Sequence, residues 1–170
     1  MAEFKKRPSS MDKATFVETF GGVYEHSPWV AEAIWDMGIT PVHDAIETLA
    51  DCMAKVVESA DKQTKMTLIN AHPDLAGKAA VRGELTAAST TEQSGAGLGD
   101  CTSAEFEKFQ AYNDAYKEKF GFPFIKAVKN SNRHEIIAGF EARIGNDPDQ
   151  EFETALLEID EIARFRLLEL

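Results

Sequence analysis

Residues 102–121 read TSAEFEKFQAYNDAYKEKFG, and this stretch decides the fold class. Thr102-x-x-Glu105 is a capping box: the threonine hydroxyl accepts from the N–H three residues on, and the glutamate reaches back to the N–H of the cap. Behind it Phe106, Phe109, Asn113, Tyr116 and Phe120 recur at spacings of three and four, which is one face of a helix. Gly121 ends the run. A helix is therefore predicted from the capping box to about residue 120.

The same punctuation recurs on both sides. Asp147-Pro148 opens the last helix, with Phe152, Leu156, Ile159 and Ala163 in register. Ile136, Ile137, Phe140 and Ile144 mark another. Upstream, Phe16, Val17 and Phe20 share a face that ends at Gly21-Gly22. Ser27-Pro28 starts a short helix carrying Ala31, Ile34 and Trp35 as far as Gly38. Thr40-Pro41 repeats the start signal ahead of Val42, Ala45, Ile46, Leu49, Met53, Val56 and Val57, a stripe of about four turns. A further helix runs from about Asp61 to Ala71. No segment alternates β-branched residues with period two, and there is no repeat or low-complexity tract. The expected fold is all-α, a single domain over residues 11–170 with seven to nine helices, behind a flexible lead of residues 1–10.

The 170 residues are ordinary for one globular domain, with 44 % hydrophobic and 28 % charged side chains. The net charge of −11 argues against a phosphate-backbone partner, so nucleic acid is not expected. The acids are read as solvated helix faces, many of them on the last helix from Asp147 to Glu169. Cys52 and Cys101 have no partner at zinc-ligand spacing, so no metal site is expected. No apolar run reaches the length of a membrane span, and residues 1–10 lack a secretory apolar stretch. A cytoplasmic protein with reduced thiols and no membrane contact is expected.

Four places carry candidate chemistry. His72-Pro73 follows the helix that begins at Asp61, and the proline forces that helix to end ahead of it. A histidine there suits proton transfer, but taken alone the position favours a structural residue at a helix C-terminus. Ser89-Thr90-Thr91-Glu92-Gln93 carries a Ser-x-x-Glu capping pattern, and a helix start is also a carboxylate site. The Gly95-Ala96-Gly97-Leu98-Gly99 run lacks the spacing and strand of a nucleotide cradle. Arg166 lies seven residues beyond Ile159, on the apolar stripe of the last helix, so its guanidinium needs an anion. An internal salt bridge, a stem snorkelling to the surface and a substrate carboxylate are the candidates. Phe120-Gly121-Phe122-Pro123-Phe124-Ile125 leads from a helix end into a stiff apolar segment, suited to core filling or to offering backbone groups to a polar ring.

Taken together these segments resemble one family. His72-Pro73-Asp74-Leu75-Ala76-Gly77-Lys78, Leu85-Thr86 with Ser89-x-x-Glu92-Gln93, Ala96-Gly97-Leu98, Asn113-x-x-Tyr116-x-x-Lys119-Phe120-Gly121-Phe122-Pro123-Phe124 and Ile162-Ala163-Arg164-Phe165-Arg166-Leu167 are similar to the signature of OHCU decarboxylases. Phe20-Gly21-Gly22-Val23-Tyr24-Glu25-His26-Ser27-Pro28-Trp29 matches the family's N-terminal pattern. The similarity spans nearly the whole chain.

The resemblance implies an all-α carboxy-lyase of urate degradation that needs no metal or organic cofactor. It implies 2-oxo-4-hydroxy-4-carboxy-5-ureidoimidazoline as the small-molecule substrate and (S)-allantoin as the product. By the same match His72 is the catalytic histidine and Glu92 its acidic partner. Pro73, Ser89, Gln93, Phe124, Ile125, Val128 and Arg166 are substrate-binding. A homodimer is implied, and the hydrolase that precedes it in the pathway is a candidate partner. The chain ends Leu168-Glu169-Leu170, not in the Ser-Lys-Leu tripeptide of peroxisomal relatives, which agrees with a cytoplasmic setting. Two rival readings remain. An acidic helical interaction module would use Arg166 in an internal salt bridge. A metal-dependent hydrolase would need a ligand cluster, and none of the four histidines pairs at i, i+4 on one helix.

Overall fold

Nine α-helices and three 3-10 turns account for the architecture of the computed structural model, which describes residues Met1–Leu170. There is no strand; one isolated antiparallel bridge joins Glu3 to Ala45. The contacts divide the chain into two compact units, Met1–Ala71 with Asp160–Leu170, and His72–Ile159.

The first unit holds α1 (Lys13–Phe20), α2 (Trp29–Met37), α3 (Ile46–Glu58), α4 (Lys62–Asn70) and the end of α9 (Pro148–Leu168). Asp12 and Asp61 cap α1 and α4 through their side chains, each accepting the N–H three residues on. Phe16, Phe20, Ile34, Leu49, Met53, Ile69, Ala163 and Leu167 are all buried. The helix read from Thr40-Pro41 is in fact two elements. Pro41–Asp44 forms a 3-10 turn, Ala45 is extended and bridges to Glu3, and α3 starts only at Ile46. Val42, counted in the apolar stripe, is exposed.

Residues 1–10 are also pinned, where a flexible lead was expected. Phe4 is buried edge-on against Phe20 with ring centroids 5.2 Å apart. Its N–H donates to Asp44 O, and Ser9 donates twice to the Asp44 carboxylate, from its N–H at 2.9 Å and its hydroxyl at 2.8 Å. An amphipathic pattern could not reveal this anchor, because it is one aromatic side chain and one buried aspartate.

The second unit holds the short α5 (Lys78–Val81), α6 (Ala87–Gly95), α7 (Ser103–Phe120), α8 (Arg133–Arg143) and the start of α9. Helix α7 is as its sequence predicts. The Thr102–Glu105 box closes in both directions, and Gly121 takes a left-handed φ of 79°. Its buried face meets α8 in an aromatic cluster: Phe124 stacks on Phe140 at 3.8 Å, and the Tyr116 ring stands nearly perpendicular to Phe124 at 5.3 Å. Each such ring contributes about 1.5–3 kcal/mol by leaving water, so Phe140→Ala would be among the most damaging changes to this unit.

The acids of α9 do not all face solvent. Glu151 is fully buried, accepting from Arg143 Nε at 2.9 Å and from the Tyr116 hydroxyl at 3.1 Å. Burial pushes the Tyr116 phenol well above its ordinary value, so it stays a neutral donor. Reading the acid run as a solvated face misses this ion pair, because the arginine arrives from another helix.

Candidate active site

His72 is the first residue beyond the C-cap of α4, as the His72-Pro73 pattern requires, and it is buried. The chain then turns through Asp74, Leu75, Ala76 and Gly77 before α5. Ala76 has a φ of +50°, a left-handed geometry that costs a side-chain-bearing residue on the order of 1–2 kcal/mol. Gly77 leaves no room for a Cβ, which would come within 2.7 Å of Asp74 Cβ.

Such a loop cannot satisfy its own carbonyls, and amide side chains do so. Gln93 Nε2 donates to Asp74 O at 3.2 Å, Asn113 Nδ2 to Leu75 O at 2.9 Å, and Gln110 Nε2 to Ala76 O at 2.8 Å. Gln93 Oε1 also accepts the Ala76 N–H at 3.0 Å. Lys117 Nζ lies 2.6 Å from the Asp74 carboxylate. The loop that begins at His72 is thus joined to α6 and to one stripe of α7.

On α6, Ser89, Glu92 and Gln93 fall at i, i+3 and i+4, on one side of the helix. Ser89 and Gln93 are buried and Glu92 is half-buried. The cap differs from the sequence reading. Thr86 is the N-cap and its hydroxyl accepts the Ser89 N–H at 3.2 Å, so Ser89 lies inside the first turn. Threonine and serine are near-equal caps, and a three-residue slip leaves the apolar pattern unchanged. Ser89 is thus the third residue of α6, in its electropositive first turn.

The segment after Gly121 runs without regular structure through Phe122, Phe124, Ile125 and Val128, whose side chains are all buried. Part of its backbone is already engaged. Arg143 Nη1 donates to Ile125 O at 2.6 Å, and the Ala127 N–H donates to Glu158 Oε2 at 2.7 Å. The Arg143 guanidinium sits 4.3 Å from the Phe124 ring centroid. Core filling and an oriented backbone are thus both present in this segment. Arg143 and Glu158, which fix it, were not among the residues singled out from sequence.

Arg166 belongs to the first unit. Its guanidinium is buried and lies 2.8 Å from Glu25 Oε2, with Nη1 also donating to Val23 O at 3.3 Å. Glu25 is the partner that the sequence reading lacked. It sits in the Gly21–Pro28 turn, where His26 holds a φ of +48° and Ser27 Oγ donates to Glu25 O at 2.8 Å. Ser27 therefore folds back on its own turn and does not cap α2.

A cavity of about 580 Å³ lies in the second unit, lined by residues of α5, α6 and the start of α7, among them Val81, Leu85, Thr90, Gln93 and Phe106. Ala76 of the His72 loop and Gln93 of α6 line it, while His72, Ser89 and Glu92 do not. No group of three or more His, Cys, Asp or Glu side chains is arranged to hold a metal ion.

The OHCU decarboxylase family model matches residues 9–168. The chain belongs to the OHCU decarboxylase family. Its relatives include a 2-oxo-4-hydroxy-4-carboxy-5-ureidoimidazoline decarboxylase of Haloferax volcanii, 40 % identical over 159 residues that cover 94 % of this chain and 90 % of that protein. The protein of the same name from Halalkalicoccus jeotgali is 43 % identical, covering 94 % of this chain and 86 % of its own. A crystal structure of (S)-allantoin synthase superposes with a TM-score of 0.72 at 35 % identity, covering 94 % of this chain. The chain spans about half the length of that synthase, 51 %. The all-α class expected from sequence is the class observed, and the family resemblance drawn from the motifs is the family shown.

Proposed function

We propose that this member of the OHCU decarboxylase family removes CO2 from 2-oxo-4-hydroxy-4-carboxy-5-ureidoimidazoline and protonates one face of the product carbon, giving (S)-allantoin. What supports the reading is the rigid loop at His72, held by Gln93 from the same helix side that carries Ser89 and Glu92. Breaking the carbon–carboxylate bond leaves an electron pair on the ring carbon. The adjacent C=N of the substrate accepts it, so the chemistry asks for no pyridoxal, thiamine or metal. The protein's task is to hold the substrate, move protons and exclude one face.

In this reading His72 is the catalytic proton-transfer residue and Glu92 its acidic partner. Pro73 stiffens the backbone beside it. Ser89 donates to the substrate from the first turn of α6. Gln93 has one amide hydrogen on Asp74 O and a second left to give. Phe124, Ile125 and Val128 present the ring-binding backbone. Arg166, paired with Glu25, is the substrate-binding arginine that family membership implies. The protein works as a cytoplasmic homodimer, and light scattering on purified protein reads that state. A pull-down with the preceding hydrolase of the pathway tests that association.

The test of the activity is to generate the substrate in situ and add EDTA-dialysed protein, following optical rotation and CO2 release together. Rapid appearance of (S)-allantoin is expected. Racemic product at the spontaneous rate would remove the decarboxylase reading in favour of an interaction module, and activity restored only by added metal would favour a metal-dependent enzyme.

A further inference from the structure

Three consecutive carbonyls in the loop that begins at His72 accept hydrogen bonds from three different amide side chains. Gln93 reaches Asp74 O, Asn113 reaches Leu75 O and Gln110 reaches Ala76 O, at 3.2, 2.9 and 2.8 Å. Gln110, Asn113 and Lys117 fall at i, i+3 and i+7 of α7, one stripe of that helix, and Lys117 adds an ion pair to the Asp74 carboxylate at 2.6 Å. Asn113 is only 1 % exposed, in the middle of an otherwise aromatic face. A buried amide in such a place is costly unless its hydrogen bonds are needed. The loop it grips holds Ala76 in a left-handed conformation and Gly77 too close to Asp74 for any side chain. Backbone this constrained persists only where its surroundings over-determine it.

We infer that Asn113, Gln110 and the Gln93 amide act as positioning residues for His72, locking the loop that carries the imidazole. This rests on the reading of His72 as the catalytic histidine. None of the three needs to touch substrate to do this: they fix three carbonyls two to four residues beyond the histidine, and so fix the backbone path of the loop that carries it. Gln93 has the loop as the partner of both ends of its amide, so its first duty is to hold the loop and any substrate contact comes second.

The experiment compares wild type with Gln110→Met, which keeps volume and loses the donor, Gln110→Lys, which restores a donor, and Asn113→Asp, which keeps shape and loses the donor. Turnover, Michaelis constant, melting temperature and amide hydrogen exchange of residues 74–77 are measured on each. Gln110→Met should lower kcat about tenfold with the Michaelis constant within about twofold, Gln110→Lys should recover most of the loss, and Asn113→Asp should lower kcat about a hundredfold. Exchange at Ala76 and Gly77 should quicken about tenfold or more in Gln110→Met while its melting temperature stays near wild type. If Asn113→Asp does not fold, the Gln110 pair decides. Wild-type kcat and unchanged exchange in Gln110→Met overturn the inference. So does a loss that lysine does not repair, or one that falls wholly on the Michaelis constant. If wild type itself shows no turnover, the proposed activity fails, while hydrogen exchange alone still decides whether the amides lock the loop.

Discussion

The guanidinium of Arg166 and the carboxylate of Glu25 stand 2.8 Å apart with both side chains buried, 8 % and 1 % exposed. A buried ion pair is asymmetric in its energetics. Removing one partner strands a charge, while removing both does far less harm. Glu25→Gln should therefore lower the unfolding free energy by about 3–5 kcal/mol in urea titrations, and adding Arg166→Met to that variant should recover part of the loss. A double variant no more stable than Glu25→Gln would show that the pair is not coupled. Arg166→Lys keeps the charge but not the planar fork, so the Michaelis constant should rise about tenfold or more. An unchanged constant would leave Arg166 with a purely structural role.

His72 follows the α4 C-cap, Ala71, directly, and the Ala71 N–H already closes that helix end. His72→Asn is expected to leave the circular dichroism spectrum and melting temperature close to wild type while turnover falls about a hundredfold or more. Activity near wild type would end its assignment as the proton-transfer group.

Thr86 caps α6 and Ser89 sits inside the first turn, so stability and chemistry can be separated on one helix. Thr86→Ala should lose about 1 kcal/mol of stability with turnover per folded molecule little changed. Ser89→Ala should do the reverse. Equal stability losses with no catalytic loss in Ser89→Ala would return Ser89 to the scaffold.

Gly77 is tight against Asp74. Gly77→Ala must push the loop aside, with an expected cost of about 1–3 kcal/mol and a matching fall in turnover, measured by thermal melts and steady-state rates. A variant that melts and turns over like wild type would show that the loop yields freely.

Asp160 accepts a hydrogen bond from the Tyr24 hydroxyl at 2.7 Å. Burial raises its carboxyl above the ordinary 3.8; the Tyr24 hydrogen bond opposes that rise and the Glu58 carboxylate adds to it. The folded state therefore holds this proton more tightly than the unfolded chain. Its contribution to stability is full below about pH 3.8 and is lost as pH climbs through the raised value. Asp160→Asn keeps an acceptor for Tyr24 and removes the charge. Its melting temperature relative to wild type should be more favourable at pH 7 than at pH 3.5. The opposite ordering would mean that the ionised carboxylate is the favoured form.

Helix α7 was legible to its ends, because cap, stripe and glycine all act within one segment. Arg166 was legible as a buried cation for the same reason, since the seven-residue spacing along α9 places it among Ile159 and Ala163. Its partner was not. Glu25 lies in an irregular turn far away in the chain, and any of many acids could have served. The same limit hid Arg143 behind Glu151 and the amides behind the His72 loop. Asn113 was counted as one more position on an apolar stripe, because periodicity records where a side chain points and not what it holds. Thr86 and Ser89 were confused because either satisfies the local chemistry of a cap. The anchoring of Phe4 went unseen because a lone aromatic residue carries no period.

Helix α9 gives residues to both units, and this bears on how the protein is made. His72–Ile159 is one uninterrupted stretch, so its contacts are all on hand once residue 159 leaves the ribosome. The other unit pairs residues 1–71 with residues 160–170 and lacks Arg166 for Glu25 until that part of α9 has been translated. Residues 1–71 therefore wait for residues 160–170 to complete their unit, and during that wait Glu25 and the apolar faces of α1 to α4 are the surfaces of this unit that need protection.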